Sequence, residues 1–245
     1  MPELKKEQLS YIVFTDFDGT ITRTDIGDAM FKTFGNGEKC AEAFRDSLEG
    51  KIPAQESWRR SCGTVESLSP SIFASFVAPQ KIDPGFRSFA EYCAARSIPV
   101  NILSDGFDVY IDQILRREEL NHLQFNSNQL VFEPDGKISP RFPYTDAECI
   151  ECANCKRNHL LTKSGDDQVI VYIGNGHSDQ CPVRYADIVF AKTTLLLYCE
   201  RENITYHRFE TFHDVLAKFR TIVEEERPRK RRTAELARKE VFMQG

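Results

Sequence analysis

The sequence has no apolar stretch near the ~20 residues that a helical bilayer span requires, which excludes a transmembrane helix as an expectation. Its opening segment, MPELKKEQLSYIVF, holds no signal-type hydrophobic region, and the short apolar run there reads as a strand. There is no excess of positive charge: 32 Lys and Arg stand against 37 Asp and Glu, for a net charge of -5 and a pI near 5.7. That balance gives no global electrostatic reason to expect a nucleic-acid partner. Internal repeats are also missing. Eight cysteines without an export signal read as reduced thiols rather than a disulfide framework. The expectation is a cytoplasmic chain with neither membrane nor nucleic acid as partner, and 245 residues suffice for one or two domains with a sizeable core.

What is present begins at Asp16-Phe17-Asp18-Gly19-Thr20, directly after the apolar run Tyr11-Ile12-Val13-Phe14-Thr15. The run reads as a buried strand, and period-two alternation would put both carboxylates on one side of its end. Two like charges that close raise one another's pKa unless a cation sits between them, so the pair implies a bound metal or a shared proton. A second apolar strand ends in Ser104-Asp105-Gly106, where the hydroxyl and the following backbone amides could hold phosphate oxygens. Lys156 follows Cys155 at an expected helix start. A third strand, residues 169–173, runs into Gly174-Asn175-Gly176-His177-Ser178-Asp179.

These four motifs, in this order, resemble those of the haloacid dehalogenase-like (HAD) phosphatases. The resemblance implies an α/β fold, a Rossmannoid parallel sheet with helices on both faces and an inserted all-helical cap domain. It implies that Asp16 attacks phosphorus and that Asp18 is general acid and then general base. It also implies Ser104 and Lys156 as further catalytic residues, with Gly19, Thr20, Ser104, Asp105, Gly106 and Lys156 around the phosphate. The implied cofactor is Mg²⁺, on Asp16, the backbone carbonyl of Asp18 and the fourth motif. There Asn175 stands where many relatives carry an aspartate, an oxygen donor without charge, while Asp179 keeps the other acidic position as a direct ligand or as support for one.

The alternation of strands and helices favours a mostly parallel sheet covered on both faces. Residues 23–80 contain no convincing strand and read as the helical cap, leaving residues 1–22 and 81–226 as the catalytic core and 227–245 as a charged tail. Asp83-Pro84 should cap and open a core helix reaching about Ser97. Residues 129–133 and 137–142 should form a hairpin around Pro134-Asp135-Gly136. Strands are also expected over residues 169–173 and 187–191, and helices over 194–201 and 211–225.

Several residues carry two readings. Asp25 is either the N-cap of the first cap helix or a substrate contact, as its likeness to the acidic cap residue of phosphoserine phosphatases implies. Arg45 is either a solvated helix arginine or, by a looser likeness, the residue that meets a substrate carboxylate. Cys149, Cys152 and Cys155, at three-residue spacing with His159 beyond, either bind metal or carry redox chemistry, or are small buried hydrophobes beside the lysine. The basic cluster of residues 227–232, after Glu224-Glu225-Glu226, reads as a solvated tail.

Within the family, the run Asp16 to Thr22, Leu103 to Asp108, the CxxCK form of the third motif and Tyr172 to Asp179 are similar to MtnX-type enzymes. Those remove phosphate from the methylthiopentenyl phosphate of methionine salvage. The expected partner is therefore a small phosphorylated metabolite. The open alternatives are another metabolite phosphatase, for phosphoserine, phosphocholine, phosphoethanolamine or a vitamin phosphate, and a binding protein without turnover. The sequence does not fix an oligomeric state.

Overall fold

The structure, a computed structural model, describes residues 9–147, 149, 151–225 and 228–244. Residues 1–8 of the expected core, and Glu226 and Arg227 at its junction with the expected tail, lie outside these. Along the chain run β1 (Ser10–Thr15), α1 (Ile26–Phe34), α2 (Gly37–Leu48), α3 (Ala54–Gly63), α4 (Pro70–Val77), α5 (Phe86–Ala95), β2 (Val100–Phe107), α6 (Asp108–Arg117), β3 (Gln124–Phe132) and β4 (Ile138–Arg141). Then follow α7 (Lys156–Lys163), β5 (Gln168–Gly174), β6 (Ile188–Ala191), α8 (Thr193–Arg201), β7 (His207–Arg208), α9 (Phe212–Glu225) and α10 (Arg232–Gln244). The strands pair predominantly in parallel, as expected.

The chain divides into two compact units. The first holds Met1–Thr15, Pro84–Val100 and Arg157–Gly245. Its strands run β1-β5-β6-β7, all parallel, with Thr15 opposite Ile173 at the ends of β1 and β5. Residues 169–173 of β5 are buried without alternation, which is what a parallel strand covered on both faces requires. Phe86 and Phe89 of α5 meet Phe212 and Phe219 of α9, with ring centroids 4.9 to 5.8 Å apart. Asp83-Pro84 does not open α5 as expected: the Asp83 N–H donates to Ile21 O at 2.7 Å and the helix begins after Gly85.

The second unit holds Asp16–Asp83 and Asn101–Lys156. Between Ile26 and Val77 every described element is an α-helix, and this unit also takes in β3, β4 and most of β2. The reason is packing: α3 lies on β4, and α4 on α6. β3 pairs with β2 in parallel and with β4 antiparallel, the latter being the expected hairpin. Its first half, residues 124–128, was not legible as a strand because Gln124, Asn126 and Asn128 interrupt the apolar pattern.

The tail departs from the solvated reading. Ala234 of α10 is fully buried, and Arg231 donates to Val183 O at 2.6 Å and Arg184 O at 3.1 Å. Both Arg238 and the Arg231 N–H donate to Asp187 Oδ1, at 3.1 and 3.0 Å. A basic cluster reads as solvated until a buried carboxylate and helix-end carbonyls are there to receive it. Arg238→Ala is expected to lower stability by roughly 1–3 kcal/mol, because a buried carboxylate loses a charged donor. A chemical-denaturation midpoint unchanged from wild type would reject that role.

Candidate active site

Residues 16–18 follow β1 directly, and the turn that carries them is set by Gly19, whose φ of +71° suits glycine. The Gly19 N–H donates to Thr24 O at 3.2 Å and Thr22 Oγ1 at 3.1 Å, and the Thr20 N–H to Phe17 O at 3.2 Å. These amides therefore shape the turn rather than stand open to phosphate.

Asp16 is 5% exposed and accepts a 2.6 Å charged hydrogen bond from Lys156 Nζ, itself 1% exposed. The nucleophile candidate and the lysine of the third motif, 140 residues apart, form one buried ion pair. Asp18 accepts from Tyr110 OH at 2.6 Å, Ser104 Oγ at 3.1 Å and the Ile26 N–H at 3.0 Å. Burial is the largest cause of a raised Asp18 pKa, and the charges of Asp25 and then Asp16 add to it. Tyr110 and the Ile26 amide offset only part, leaving the carboxyl at about 8. A carboxyl that stays protonated through neutral pH can act as an acid.

The folded pKa lies above the ordinary 3.8, so the stability held by the protonated form is full below about pH 4 and lost as pH rises through about 8. Tyr110→Phe removes a donor to the carboxylate and should move the alkaline limb of kcat/KM to higher pH. A limb that stays in place in that variant would mean Tyr110 does not tune Asp18.

Ser104 is buried at the irregular part of β2, where the β2–β3 register shifts between Leu103 and Phe107. Gly106 permits this approach: a Cβ there would overlap Tyr110 OH and sit 2.6 Å from Asp18 Oδ2. The Gly106 N–H donates to Ser104 Oγ at 2.9 Å. The Asp105 side chain, by contrast, turns to the third motif. Its Oδ1 accepts from the Ala153 and Asn154 N–H groups at 3.0 and 2.7 Å, and the Trp58 side chain also hydrogen-bonds to it. Burial raises the Asp105 pKa, while the Lys156 charge and these donors pull it back. Asn154 Nδ2 donates to Ser104 O at 2.7 Å and Asn126 O at 2.9 Å, which ties the loop before Lys156 to the strand carrying Ser104.

The fourth motif is described within the first unit. Asp179 is fully buried, with Oδ2 accepting from the Asn175 and Gly176 N–H groups at 2.9 Å each and Oδ1 from Tyr172 OH at 2.7 Å. Both carboxylate oxygens therefore brace the turn that presents Asn175. Asn175 is half-buried, and its carbonyl accepts from Thr193 Oγ1 at 2.6 Å.

Asp25 proves to be an N-cap, accepting from the Asp28 N–H at 2.8 Å, and it also contributes charge to Asp18. Arg45 lies exposed in the last turn of α2, on a helix whose buried residue is Ala43. Sequence reasoning missed Tyr110, Asn154, Trp58 and Tyr172. A signal existed for Tyr110, which lies four residues after Gly106 near the start of α6. No group of three His, Cys, Asp or Glu side chains among the described residues is placed to hold a metal, the cysteine run included.

A buried aspartate paired with lysine, beside a second, protonatable aspartate that accepts from a serine hydroxyl, follows the end of β1. Residues 13–181 match the haloacid dehalogenase-like hydrolase family, and the chain belongs to it. It is 26% identical over 225 residues to polyol phosphate phosphatase PYP1 of Saccharomyces cerevisiae, covering 86% of this chain and 93% of that one. It is 28% identical over 232 residues to 2-hydroxy-3-keto-5-methylthiopentenyl-1-phosphate phosphatase of Bacillus pumilus, covering 91% and 96%. A solved phosphoserine phosphatase, as an analogue of its phospho-aspartyl intermediate, shares the fold at TM-score 0.65 and 17% identity, over 86% of this chain and 99% of that one. The chain is a phosphatase of this family.

Proposed function

We propose that the protein hydrolyses a small phosphorylated metabolite through an aspartyl-phosphate on Asp16. The observation that carries this reading is the buried Asp16–Lys156 pair at 2.6 Å, with Asp18 held beside it by Tyr110 and Ser104. Phosphate monoesters resist attack because nucleophile and phosphoryl oxygens are both anionic, so the site must neutralise charge and fix an in-line approach. Lys156 neutralises; Asp16 attacks and splits one hard step into two easier ones. Asp18 gives its proton to the leaving alkoxide and then takes one from the water that cleaves the acyl-phosphate. Ser104 binds a phosphoryl oxygen.

The donor set fits Mg²⁺, since it is all oxygen, and a hard cation would offset the charges of Asp25 and Asp16 that act on Asp18. Within the second unit, Asp16 and the Asp18 backbone carbonyl would hold the ion. When bound, it would supply positive charge to the phosphate and the nucleophile. Helices α1–α4 would serve as the cap.

The substrate we favour is the methylthiopentenyl phosphate of methionine salvage. The four motif phrases support this choice, as does the Bacillus relative, which matches over nearly its whole length. Polyol phosphates are the second reading, favoured by the yeast relative, which is covered to 93% of its length. Phosphate release should be measured with and without Mg²⁺ from both substrates alongside phosphoserine and phosphocholine. The salvage reading expects the methylthiopentenyl ester to lead by kcat/KM. A polyol phosphate in the lead replaces the salvage reading, and binding without turnover of any ester removes the enzymatic one.

A further inference from the structure

The first turn of α6 carries Tyr110, whose hydroxyl reaches Asp18 Oδ2 at 2.6 Å, and nothing else on that helix enters the mechanism. Gln113 and Arg117 follow Tyr110 at helical spacing and so share its stripe of α6. Both reach one place, the carboxy-terminal end of α4 and the chain just beyond it. Gln113 Nε2 donates to Ala74 O at 3.1 Å. Arg117 Nη1 donates to Val77 O at 3.3 Å and Ala78 O at 2.9 Å, and Nη2 to Gln80 O at 2.5 Å. Glu118 Oε1 accepts from Arg117 Nε and Nη2 at 3.1 Å each and offsets the charge. Carbonyls at a helix end lack partners within the helix and lie at the negative end of its dipole, so a planar guanidinium with several donors suits them.

The segment gathered in this way, residues 78–83, is bound in turn to the stretch that leads from the Asp18 turn into α1. Thr22 and Ile82 form an antiparallel bridge, the Arg23 N–H donates to Lys81 O at 3.1 Å, and the Asp83 N–H donates to Ile21 O at 2.7 Å. A little further on, the Ile26 N–H donates to Asp18 Oδ1 at 3.0 Å. Asp18 is thus held on one oxygen from the start of α1 and on the other from α6, and Arg117 ties these two supports together. The Tyr110 hydroxyl occupies the space that a Cβ on Gly106 would take, so its place beside Asp18 is narrow. A shift of α6 by ~1 Å away from Asp18 stretches that 2.6 Å contact beyond hydrogen-bonding range.

We propose that Arg117, assisted by Gln113, is a positioning residue for phosphoryl transfer: by locking α6 to the end of α4 and to residues 78–83, it keeps the Tyr110 hydroxyl on Asp18. A hydroxyl that donates to the carboxylate stabilises it as its proton departs to the leaving oxygen, which makes Asp18 the stronger acid. Arg117 itself exchanges no proton. This inference rests on Asp18 acting as the general acid, as set out above. The titratable groups that bear on Asp18 are Asp25 at the start of α1, Asp16 after β1 with its partner Lys156, and Tyr110; of these, Tyr110 is the one carried by the helix that Arg117 holds.

The test uses Arg117→Met in the full chain, which keeps the aliphatic stem and removes the donors. The alkaline limb of kcat/KM should move up by about half a pH unit or more, the direction expected for Tyr110→Phe. Phenyl phosphate, whose leaving group needs a proton, should lose about tenfold in kcat/KM, while p-nitrophenyl phosphate, whose leaving group needs little help, should stay within about twofold. Arg117→Lys, which reaches fewer of the carbonyls, should fall between. Adding Arg117→Met to Tyr110→Phe should move the limb no further than Tyr110→Phe alone. Arg116→Met, at an exposed neighbour paired with Asp112 at 2.7 Å, should behave as wild type. A folded Arg117→Met with its limb in place, equal losses on both substrates, a further shift in the double variant, or the same shift in Arg116→Met would each overturn the proposal. Gln113→Met, which loses the single bond to Ala74 O, carries the same test with a smaller shift if Arg117→Met does not fold. Carboxyl ¹³C NMR, with the Asp18 signal assigned by its loss in Asp18→Asn, reads the same shift without substrate. A wild type that hydrolyses neither ester would defeat the phosphatase mechanism, while this titration would still decide whether Arg117 keeps Tyr110 on Asp18.

Discussion

Asp16→Asn is expected to lower kcat by about 10⁴-fold or more while leaving the protein folded. An amide oxygen is a poor nucleophile, and an enzyme that works through a covalent intermediate loses nearly all chemistry with its nucleophile. The fold should survive because asparagine has the same shape and its oxygen can still accept from Lys156 Nζ, which in wild type reaches Asp16 at 2.6 Å. The residual cost comes from an ammonium, 1% exposed, that has lost its counter-charge. Single-turnover kinetics with intact-mass spectrometry decide the matter, since the mass also reveals any deamidation back to aspartate. Activity within tenfold of wild type, in protein shown to be free of aspartate, would eliminate Asp16 as the attacking group.

Much of the scaffold was legible because its signals are local. Residues 11–15 and 169–173 are unbroken apolar runs, and buried parallel strands are made of little else. The hairpin of β3 and β4 announced itself through Pro134-Asp135-Gly136. Within the second unit, the residues assigned to catalysis do converge, Lys156 on Asp16 and Ser104 on Asp18. The illegible remainder depends on partners distant in sequence. Asp25 had two readings until the Asp28 N–H was found on its carboxylate. Asp105 looked like part of a phosphate loop, but its side chain serves the third motif 48 residues on. Tyr110 sits in an amphipathic helix, where an aromatic residue reads as core, and only the gap over Gly106 turns its hydroxyl onto Asp18. The docked α10 was hidden for the same reason, since charge runs do not disclose a buried Asp187 waiting for them.

Lys156→Met should cost about 3–5 kcal/mol of stability and at least about 10²-fold in kcat. Methionine fills the same space but leaves the Asp16 carboxylate, 5% exposed, with no cation to face. The catalytic loss has a separate origin, because the ammonium must offset charge on the nucleophile and the phosphoryl group together. The two effects come apart in a double-mutant cycle measured without Mg²⁺. Adding Asp16→Asn to Lys156→Met removes the stranded carboxylate, so denaturant titration should find the double variant more stable than the sum of the single losses by about 1–3 kcal/mol. Turnover should not return, because the nucleophile is then missing as well. Strict additivity of the stability changes would mean that the 2.6 Å contact carries no coupling, and the lysine's part in holding Asp16 would have to be given up.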